Sequence, residues 1–263
     1  MNIELPEQIH IDTAKISKHL ITFIKNQLTS TGYDKLVLGI SGGLDSAVVA
    51  YLSSEAIGNR NITGVILPYA SSDSANIEDA RLIIEQLGIN RRYVDISPMI
   101  DIYFKHNPTE DKNRRGNKMA RERMSILYDI SAEIGALVIG TSNKSEIMMG
   151  YGTLHGDLAC ALNPIGNLYK TQVRQLATYL GVPERIIAKP PSADLWAGQT
   201  DEGELGISYE ILDAFLFYYD NLGYDDTKLQ QAGFDKSLIT NLKSRIAKNR
   251  FKGRLPVFAD LPE

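Results

Sequence analysis

The sequence contains a single cysteine and no long apolar run. Cys160 stands alone among 263 residues, so no internal disulfide and no Cys-x-x-Cys pair can form. Its apolar neighbours indicate a core residue rather than a nucleophile. No apolar segment approaches the roughly 20 residues that span a bilayer, and the first residues, "MNIELPEQIHIDTAKISKHL", do not resemble a signal peptide. We therefore expect a cytoplasmic protein, neither secreted nor anchored in a membrane.

An excess of positive charge is also absent. Lys and Arg number 28 against 32 Asp and Glu, which gives a formal net charge of −4. This balance disfavours a dedicated nucleic-acid binder, although a small or locally bound polyanion remains possible. The hydrophobic fraction of 43% and charged fraction of 23% are ordinary for a globular protein with one sizeable core.

The first two thirds of the chain alternate between strand-like and helix-like segments. Short runs rich in Val, Ile and Leu predict strands, at 35–40, 62–68, 91–96 and 136–140. Between them lie helical patterns, at 46–57, 74–87 and 117–134. This rhythm predicts an α/β fold with a parallel sheet and helices on both faces. Ligands of such sheets bind at the carboxyl ends of the strands, where the loops after Ile40, Leu67 and Gly140 would converge.

The chain changes character after Gly150. Two Gly- and Pro-rich stretches lack a clear period, and such long loops are typical of lids or binding loops. Helical patterns return at 171–180, 208–222 and 235–249. We predict one domain over 1–263, with a nucleotide-binding core at 35–150, and lid loops and C-terminal helices at 151–263. The Pro-Pro pair and acidic residues of 188–206 predict a lid without regular structure that orders on its ligand.

The stretch "SGGLDS" (41–46) joins a strand to a helix. Gly42 and Gly43 allow backbone N–H groups to approach an anion, and the helix N-terminus adds unpaired donors and a positive dipole end. Asp45 would repel bare phosphate but could bind it through Mg²⁺, which prefers oxygen ligands. A plain helix N-cap is the simpler alternative, but one acceptor would serve it. The loop lacks the lysine of the G-x-x-x-x-G-K-[ST] motif and does not match G-x-G-x-x-G.

"SGGLDSA" resembles the pyrophosphate-binding loop of the ATP pyrophosphatases, which cleave ATP between its α and β phosphates and adenylate a substrate oxygen. Further stretches are similar to NAD synthetases in order and spacing, namely "GNKMARERM" (116–124), "GTSNKSE" (140–146), "NPIGNLYKTQVRQLA" (163–177), "KPPSADLWAGQTDEGELGISYE" (189–210) and "RFKGRLP" (250–256). The resemblance extends from about Lys35 to Pro256. It implies an adenine-nucleotide alpha-hydrolase-like (Rossmann-like) fold with C-terminal helices.

The resemblance also implies roles for individual residues. Mg²⁺ would bind Asp45 and Glu146, and the catalytic residues would be Asp45, Lys170 and Asp157. The residues that contact ATP would be Gly39, Ser41, Gly42, Gly43, Asp45, Ser46, Leu67, Thr141, Lys170 and Ser192. The dinucleotide acid would contact Asn117, Arg121, Asp157 and Lys252. On composition alone, Glu146 could equally be a solvated helix residue, Lys170 a surface lysine, Asp157 a turn residue, and 114–124 a solvated basic helix face.

Three positions depart from ammonia-using bacterial members of the family. Leu154, Ala161 and Phe251 replace a Lys, an Asp and a His there, which changes the expected substrate contacts. "GTSNKSE" and "PPSADLWAGQTDEGELG" look closer to the synthetase domain of glutamine-dependent NAD synthetases. No nitrilase-like glutaminase domain accompanies them in this sequence, and a separate glutaminase subunit is not indicated. We therefore expect this chain to use ammonia.

The resemblance implies an ATP- and Mg-dependent ligase that amidates nicotinic acid adenine dinucleotide (deamido-NAD) to NAD. An acyl adenylate would be the intermediate, and AMP and pyrophosphate the products; a homodimer is also implied. Another amide-forming ligase of the superfamily would share the ATP cleavage. A tRNA-modifying enzyme would need basic surface and usually reactive cysteines. A non-catalytic ATP-binding module would have no need of Glu146, Lys170 or a lid.

Overall fold

A four-stranded parallel sheet forms the centre of the computed structural model, which describes residues 3, 5–192, 200–254 and 258–259. The sheet runs in the order β3-β2-β1-β4. Its strands are β1 (Leu36–Gly39), β2 (Ile62–Ile66), β3 (Asn90–Tyr93) and β4 (Leu137–Val138). All four predicted strands are therefore present. β1, β2 and β4 are shorter than their apolar runs, and β3 starts one residue early and is exposed along its length, unlike the buried strand that was predicted.

Helices follow and flank the strands. They are α1 (Thr13–Thr31), α2 (Leu44–Ile57), α3 (Ser74–Leu87), α4 (Ser97–His106), α5 (Lys112–Ile134), α6 (Lys144–Met149), α7 (Lys170–Leu180), α8 (Glu184–Ile187), α9 (Asp201–Leu205), α10 (Tyr209–Leu216), α11 (Asp226–Gln231) and α12 (Lys236–Asn249). Short 3₁₀ helices lie at Glu7–Ile9, Asn59–Asn61 and Arg250–Gly253, and a π-helical turn lies at Phe217–Asn221. Within the described part of the chain, no helix is long and apolar enough to cross a bilayer.

The two faces of the sheet pack against different helices because side chains alternate along each strand. Leu36, Leu38 and Ile40 point into a cluster with α1, α2, α3 and α7. Val37 and Val65 belong to a second cluster, formed with α4 and α5. This arrangement confirms the predicted α/β fold with helices on both faces.

A third hydrophobic cluster holds the C-terminal helices together. It joins α10 and α12 to Met149 at the end of α6 and Tyr169 just before α7. Phe215 and Phe234 pack edge to face, with ring centroids 5.4 Å apart. The C-terminal helices thus pack on the segments that follow β4.

Helix α5 begins earlier than its apolar pattern predicted, at Lys112 rather than Asn117. The carboxylate of Asp111 accepts hydrogen bonds from the backbone N–H groups of Asn113 (2.9 Å) and Arg114 (3.2 Å). This N-cap starts a polar first turn that hydrophobic periodicity cannot detect. As a result, Asn117 lies inside the helix rather than at its start.

Candidate active site

A cavity of about 600 Å³ opens at the carboxyl ends of the strands. From β1 the chain proceeds outward to β2 and β3, and then returns to place β4 on the other side of β1. Such a reversal of strand order leaves a crevice between the diverging loops. The glycine-rich loop (residues 41–46) after β1 and the segment 139–146 after β4 border this crevice, so the topology itself positions the site.

The glycine-rich loop is held in shape by its own hydroxyls. Ser41 and Ser46 place their Oγ atoms 3.1 Å apart, and the Ser46 hydroxyl also lies 3.1 Å from the carbonyl of Gly43. The N–H of Gly43 donates to Ser41 Oγ at 3.2 Å. Helix α2 starts immediately afterwards at Leu44. The predicted strand, tight turn and helix N-terminus are therefore all present.

Gly42 lies where no side chain fits. Its φ is +80°, and a Cβ atom there would come within 2.1 Å of the carbonyl oxygen of Asn76 in α3. Only glycine satisfies both the left-handed backbone and this close approach. Gly42 therefore sets the packing of the loop against α3, although it does not itself line the cavity.

Asp45, Glu146 and Lys170 meet in the cavity wall. The ammonium of Lys170 forms an ion pair with Asp45 Oδ2 and a second one with Glu146 Oε1, the latter at 3.2 Å. Their side chains are only 5% (Lys170), 16% (Asp45) and 15% (Glu146) exposed. Three residues from the first turns of α2, α6 and α7 thus form one buried charge cluster.

Burial sets the protonation behaviour of this cluster. Loss of water raises the pKa of Glu146 to about 8, although Lys170 acts in the opposite direction. For Lys170, burial alone would lower the pKa, but the charges of Asp45 and Glu146 raise it overall. Lys170 is therefore a firmly held cation, whereas Glu146 tends to hold a proton at neutral pH.

The composition of this cluster fits a magnesium ion. Among the described residues, no group of three or more His, Cys, Asp or Glu side chains could hold a metal by itself. Mg²⁺ commonly binds one or two carboxylates and completes its octahedron with water and substrate phosphate oxygens. Asp45 and Glu146 supply two hard oxygen donors, and when both are ionised their joint charge exceeds that of Lys170 by one.

A second polar group lies along the same cavity. Thr153 donates its hydroxyl to Asn117 Oδ1 (2.8 Å) and its backbone N–H to Asp157 Oδ1 (2.9 Å). Asp157 is exposed to the cavity, yet the atoms packed around its carboxylate raise its pKa. Lys252 donates to the carbonyls of Gly150 (2.8 Å) and Gly152 (3.1 Å). Burial lowers the pKa of Lys252.

All but two of the residues implied by the motifs line this cavity. Those that do are Gly39, Ser41, Gly43, Asp45, Ser46, Leu67, Asn117, Thr141, Glu146, Asp157, Lys170, Ser192 and Lys252. Besides Gly42, the exception is Arg121, which is exposed on α5 and donates to the carbonyl of Leu154 at 3.1 Å. That Arg121 contacts the acid substrate therefore stays a prediction.

Two contributors were missed by sequence reasoning. Asn143 is fully buried and donates to Asp45 Oδ1 at 3.0 Å. It also forms a capping box with Glu146, and the spacing Asn-x-x-Glu could have revealed this. Lys189, which also lines the cavity, forms an ion pair with Asp79 and donates to Asn76 Oδ1 at 2.8 Å. No local sequence signal predicts that contact.

The lid prediction falls partly outside the described residues, which omit 193–199 and therefore Trp196. On the C-terminal side, the prediction of irregular structure is wrong for the acidic run, because Asp201–Leu205 form helix α9. The side chain of Thr200 accepts from Gly203 N at 3.2 Å, and Asp201 is buried and accepts from the Tyr209 hydroxyl at 3.2 Å. Capping and a buried partner thus stabilise a helix that composition disfavoured.

Cys160 behaves as the sequence indicated. Its sulfur lies beside Gly140, where an added Cβ atom would come within 2.5 Å of it. Burial raises the pKa of its thiol. A protonated, packed thiol is a poor nucleophile.

The fold and the glycine-rich loop define an α/β nucleotide-binding protein of the ATP pyrophosphatase type. The family model described as NAD synthase matches residues 16–256, and the chain belongs to this NAD synthase family. It is 47% identical to an NH3-dependent NAD+ synthetase from Trichlorobacter lovleyi, over 96% of this chain and 92% of that one.

Solved structures show the same similarity. An NH3-dependent NAD synthetase from Campylobacter jejuni superposes with a TM-score of 0.81 at 38% identity, over 95% of this chain and all of the other. An NMN synthetase from Francisella tularensis gives a TM-score of 0.85 at 31% identity, with the same coverage. The similarity therefore covers nearly the whole chain in sequence and in fold.

Proposed function

We propose that this chain is an ATP- and Mg-dependent ligase that converts deamido-NAD and ammonia to NAD, with AMP and pyrophosphate as products. The observation that supports this most strongly is that Asp45, Glu146 and Lys170 share one cavity with Asn117 and Asp157. Asp45, Glu146 and Lys170 have the charges needed at a leaving pyrophosphate. Asn117 and Asp157 could bind the acid substrate. The similarity to NH3-dependent NAD+ synthetases agrees with this assignment.

In the first step, a carboxylate oxygen of the nicotinate attacks the α phosphorus of ATP. The bond from that phosphorus to the bridging oxygen breaks, and pyrophosphate leaves with the electron pair. Lys170, the Ser41 and Ser46 hydroxyls and the positive end of α2 would stabilise the charge that grows on pyrophosphate. Mg²⁺ held by Asp45 and Glu146 would supply charge neutralisation between the repelling anions.

In the second step, ammonia attacks the acyl carbon and AMP leaves. The nitrogen must lose a proton as the amide forms, and the raised pKa of Asp157 makes that carboxylate a better proton acceptor than one of ordinary pKa. Thr153 fixes the carboxylate by its backbone hydrogen bond. The 188–206 segment would act as a lid that excludes water, which competes with ammonia.

We further propose that residues 1–263 act as one NAD synthetase domain in the cytoplasm, as a homodimer. Residues from both 35–150 and 151–263 line the one cavity, which supports a single unit. Exposed apolar side chains on the adjacent helices α4 and α5 offer a surface for a second copy, namely Met99, Ile102, Tyr103 and Tyr128. The mass of the wild-type protein in solution shows whether it is a dimer. A fall to the monomer mass in Ile102→Asp would show that this surface forms the contact.

The acid substrate has two candidates. The NMN synthetase from Francisella tularensis, similar in fold over nearly the whole chain, favours nicotinic acid mononucleotide as the second candidate. A substrate panel decides between them: each acid is supplied with ATP, Mg²⁺ and ammonium, and AMP and amide product are measured. We expect deamido-NAD to be used with the higher kcat/KM. A higher kcat/KM for the mononucleotide would replace the proposed substrate, and AMP release with neither acid would overturn the proposed reaction class.

A further inference from the structure

We propose that Asp213, a buried carboxylate of α10, is a positioning residue that fixes the start of α7 so that Lys170 is held between Asp45 and Glu146. Neither Asp213 nor its partner Ser145 belongs to the residues to which the motifs gave a role. Both residues are fully buried, and Lys170 is 4% exposed. This inference rests on the proposed function, in which Lys170 contacts the phosphates of ATP.

Asp213 binds the second residue of α7 directly and the first one through Ser145. Its Oδ2 accepts the backbone N–H of Thr171 at 2.8 Å. Its Oδ1 accepts the hydroxyl of Ser145 at 2.5 Å, and Ser145 Oγ in turn accepts the backbone N–H of Lys170 at 3.0 Å. The first N–H groups of a helix lack partners within the helix, and a negative charge there interacts favourably with the helix dipole.

The direction of these hydrogen bonds is fixed by the carboxylate. An ionised Asp213 can only accept, so the single proton of Ser145 must point to it. The lone pair of Ser145 is thereby directed at Lys170 N. Burial raises the pKa of Asp213 to about 6, which leaves the carboxylate ionised at neutral pH.

Ser145 also precedes Glu146 in α6. The Asp213–Ser145 bond therefore fixes the backbone that bears Glu146 relative to the backbone that bears Lys170. One turn earlier on α10, the ring of Tyr209 lies 5.4 Å from the Lys170 ammonium. Helix α10 thus contacts the tip of the Lys170 side chain through Tyr209 and reaches the Lys170 backbone through Ser145.

Asp213→Asn separates this role from general packing. The Asn side chain cannot accept from both Ser145 and Thr171, because one of its two polar atoms is an NH2 group. With its oxygen toward Thr171, the amide donates to Ser145 Oγ, so the hydroxyl proton of Ser145 must turn away and the negative charge at the start of α7 is lost. With the amide reversed, its NH2 group faces the N–H donor of Thr171. The matched control is Asp220→Asn, which removes an exposed ion pair to Lys144 (2.7 Å) between the same parts of the chain.

The test measures binding of α,β-methylene-ATP with Mg²⁺, and of AMP, by calorimetry. Because hydrogen bonds to charged groups are the stronger ones, Asp213→Asn should weaken binding of the ATP analogue roughly tenfold or more. AMP, which lacks the β and γ phosphates, should bind within about twofold of wild type, and Asp220→Asn should change neither affinity. Equal weakening of both ligands, or none, would overturn the positioning role.

A double-mutant cycle with Lys170→Met tests whether Asp213 acts through Lys170. If it does, the double variant should bind the ATP analogue no more weakly than Lys170→Met alone. If the losses of affinity in the two single variants multiply in the double variant, the inference is overturned and the proposed function still stands. Unchanged binding of the ATP analogue by Lys170→Met would instead overturn the phosphate contact, and the inference with it.

Ser145→Ala provides a second variant should Asp213→Asn fold poorly. It removes the hydroxyl that links Asp213 to Lys170 N and leaves the bond to Thr171. The same selective loss of ATP-analogue binding is expected, and wild-type affinity would overturn the role of the link.

Discussion

Asp45 and Lys170 lie 125 positions apart in the chain and form a buried ion pair in the cavity wall. The first follows the loop after β1, and the second begins α7. Asn143, buried beneath them, donates to the other carboxylate oxygen of Asp45. The pair therefore joins the amino-terminal half of the site to its carboxy-terminal half, and its disruption should affect both stability and catalysis.

Lys170→Met should destabilise the fold in a way that magnesium partly reverses. The change leaves Asp45 and Glu146 buried without their cation, and breaking a buried pair typically costs about 3–5 kcal/mol. Urea unfolding with and without Mg²⁺ measures this cost, and we expect Mg²⁺ to recover more stability in the variant than in the wild type. Lys243→Met removes an exposed pair with Asp226 and should cost no more than about 1 kcal/mol. Equal costs for the two variants would contradict the central position of Lys170.

Gly42→Ala should destabilise the protein by more than the strain of a left-handed alanine, because the added methyl group also clashes with a neighbouring helix. Gly32 offers a matched control: its φ is +76°, and no atom lies within 4 Å of an added Cβ. Gly32→Ala should cost about 1 kcal/mol for strain alone. Gly42→Ala adds the clash with Asn76 and should cost at least about 2 kcal/mol, since overpacking commonly adds about 1–3 kcal/mol. Thermal unfolding and ATP binding measure both effects, and matching values would show that the loop tolerates the side chain.

Asp45→Asn should keep the fold, at a cost in stability from the lost ion pair, and strongly impair adenylation. The amide keeps the shape of the carboxylate and removes the charge that would bind Mg²⁺. Pyrophosphate release should fall by about a hundredfold or more, the usual effect of removing a group that stabilises developing charge. Asp129→Asn, on the exposed side of α5, is the control. Release at the wild-type rate by Asp45→Asn at saturating Mg²⁺ would rule out the assigned role.

The sequence predicted β1 and β2 because buried parallel strands are continuous apolar runs, whereas the edge strand β3 is polar and exposed. It predicted α3 over the same residues, 74–87, that the structure shows. The meeting of Asp45 with Glu146 followed from the rule that ligands bind at the carboxyl ends of strands. The meeting of Lys170 with them rested on the family motif.

The remaining contacts depend on tertiary packing that no local pattern encodes. Asp213 reaches α7 from a helix 42 residues further along the chain, and α10 reads as an ordinary amphipathic helix. Arg121 has the residue type expected for an anion site, and its guanidinium donates to the carbonyl of Leu154, a contact that no sequence pattern predicts. In both cases, helix orientation determines the contact, and composition gives no information about it.

Glutamine should fail as a nitrogen donor for the purified 263-residue chain, whereas ammonium should support turnover. The single cysteine is packed beside Gly140 with a raised pKa, so it is unsuited to attack an amide. NAD formation with each donor is measured after free ammonia has been removed enzymatically. Turnover with glutamine under those conditions would mean that the chain contains a glutaminase activity that its residues do not reveal.

The most direct test of the account follows the carboxylate oxygens of the acid substrate. Deamido-NAD labelled with ¹⁸O at both carboxylate oxygens is converted with ATP, Mg²⁺ and ammonium, and the products are analysed by mass spectrometry. If the carboxylate attacks the α phosphorus, one ¹⁸O must appear in AMP and the other in the amide of NAD. Unlabelled AMP, or the formation of ADP and phosphate, would contradict an acyl adenylate and the assignment of this cavity.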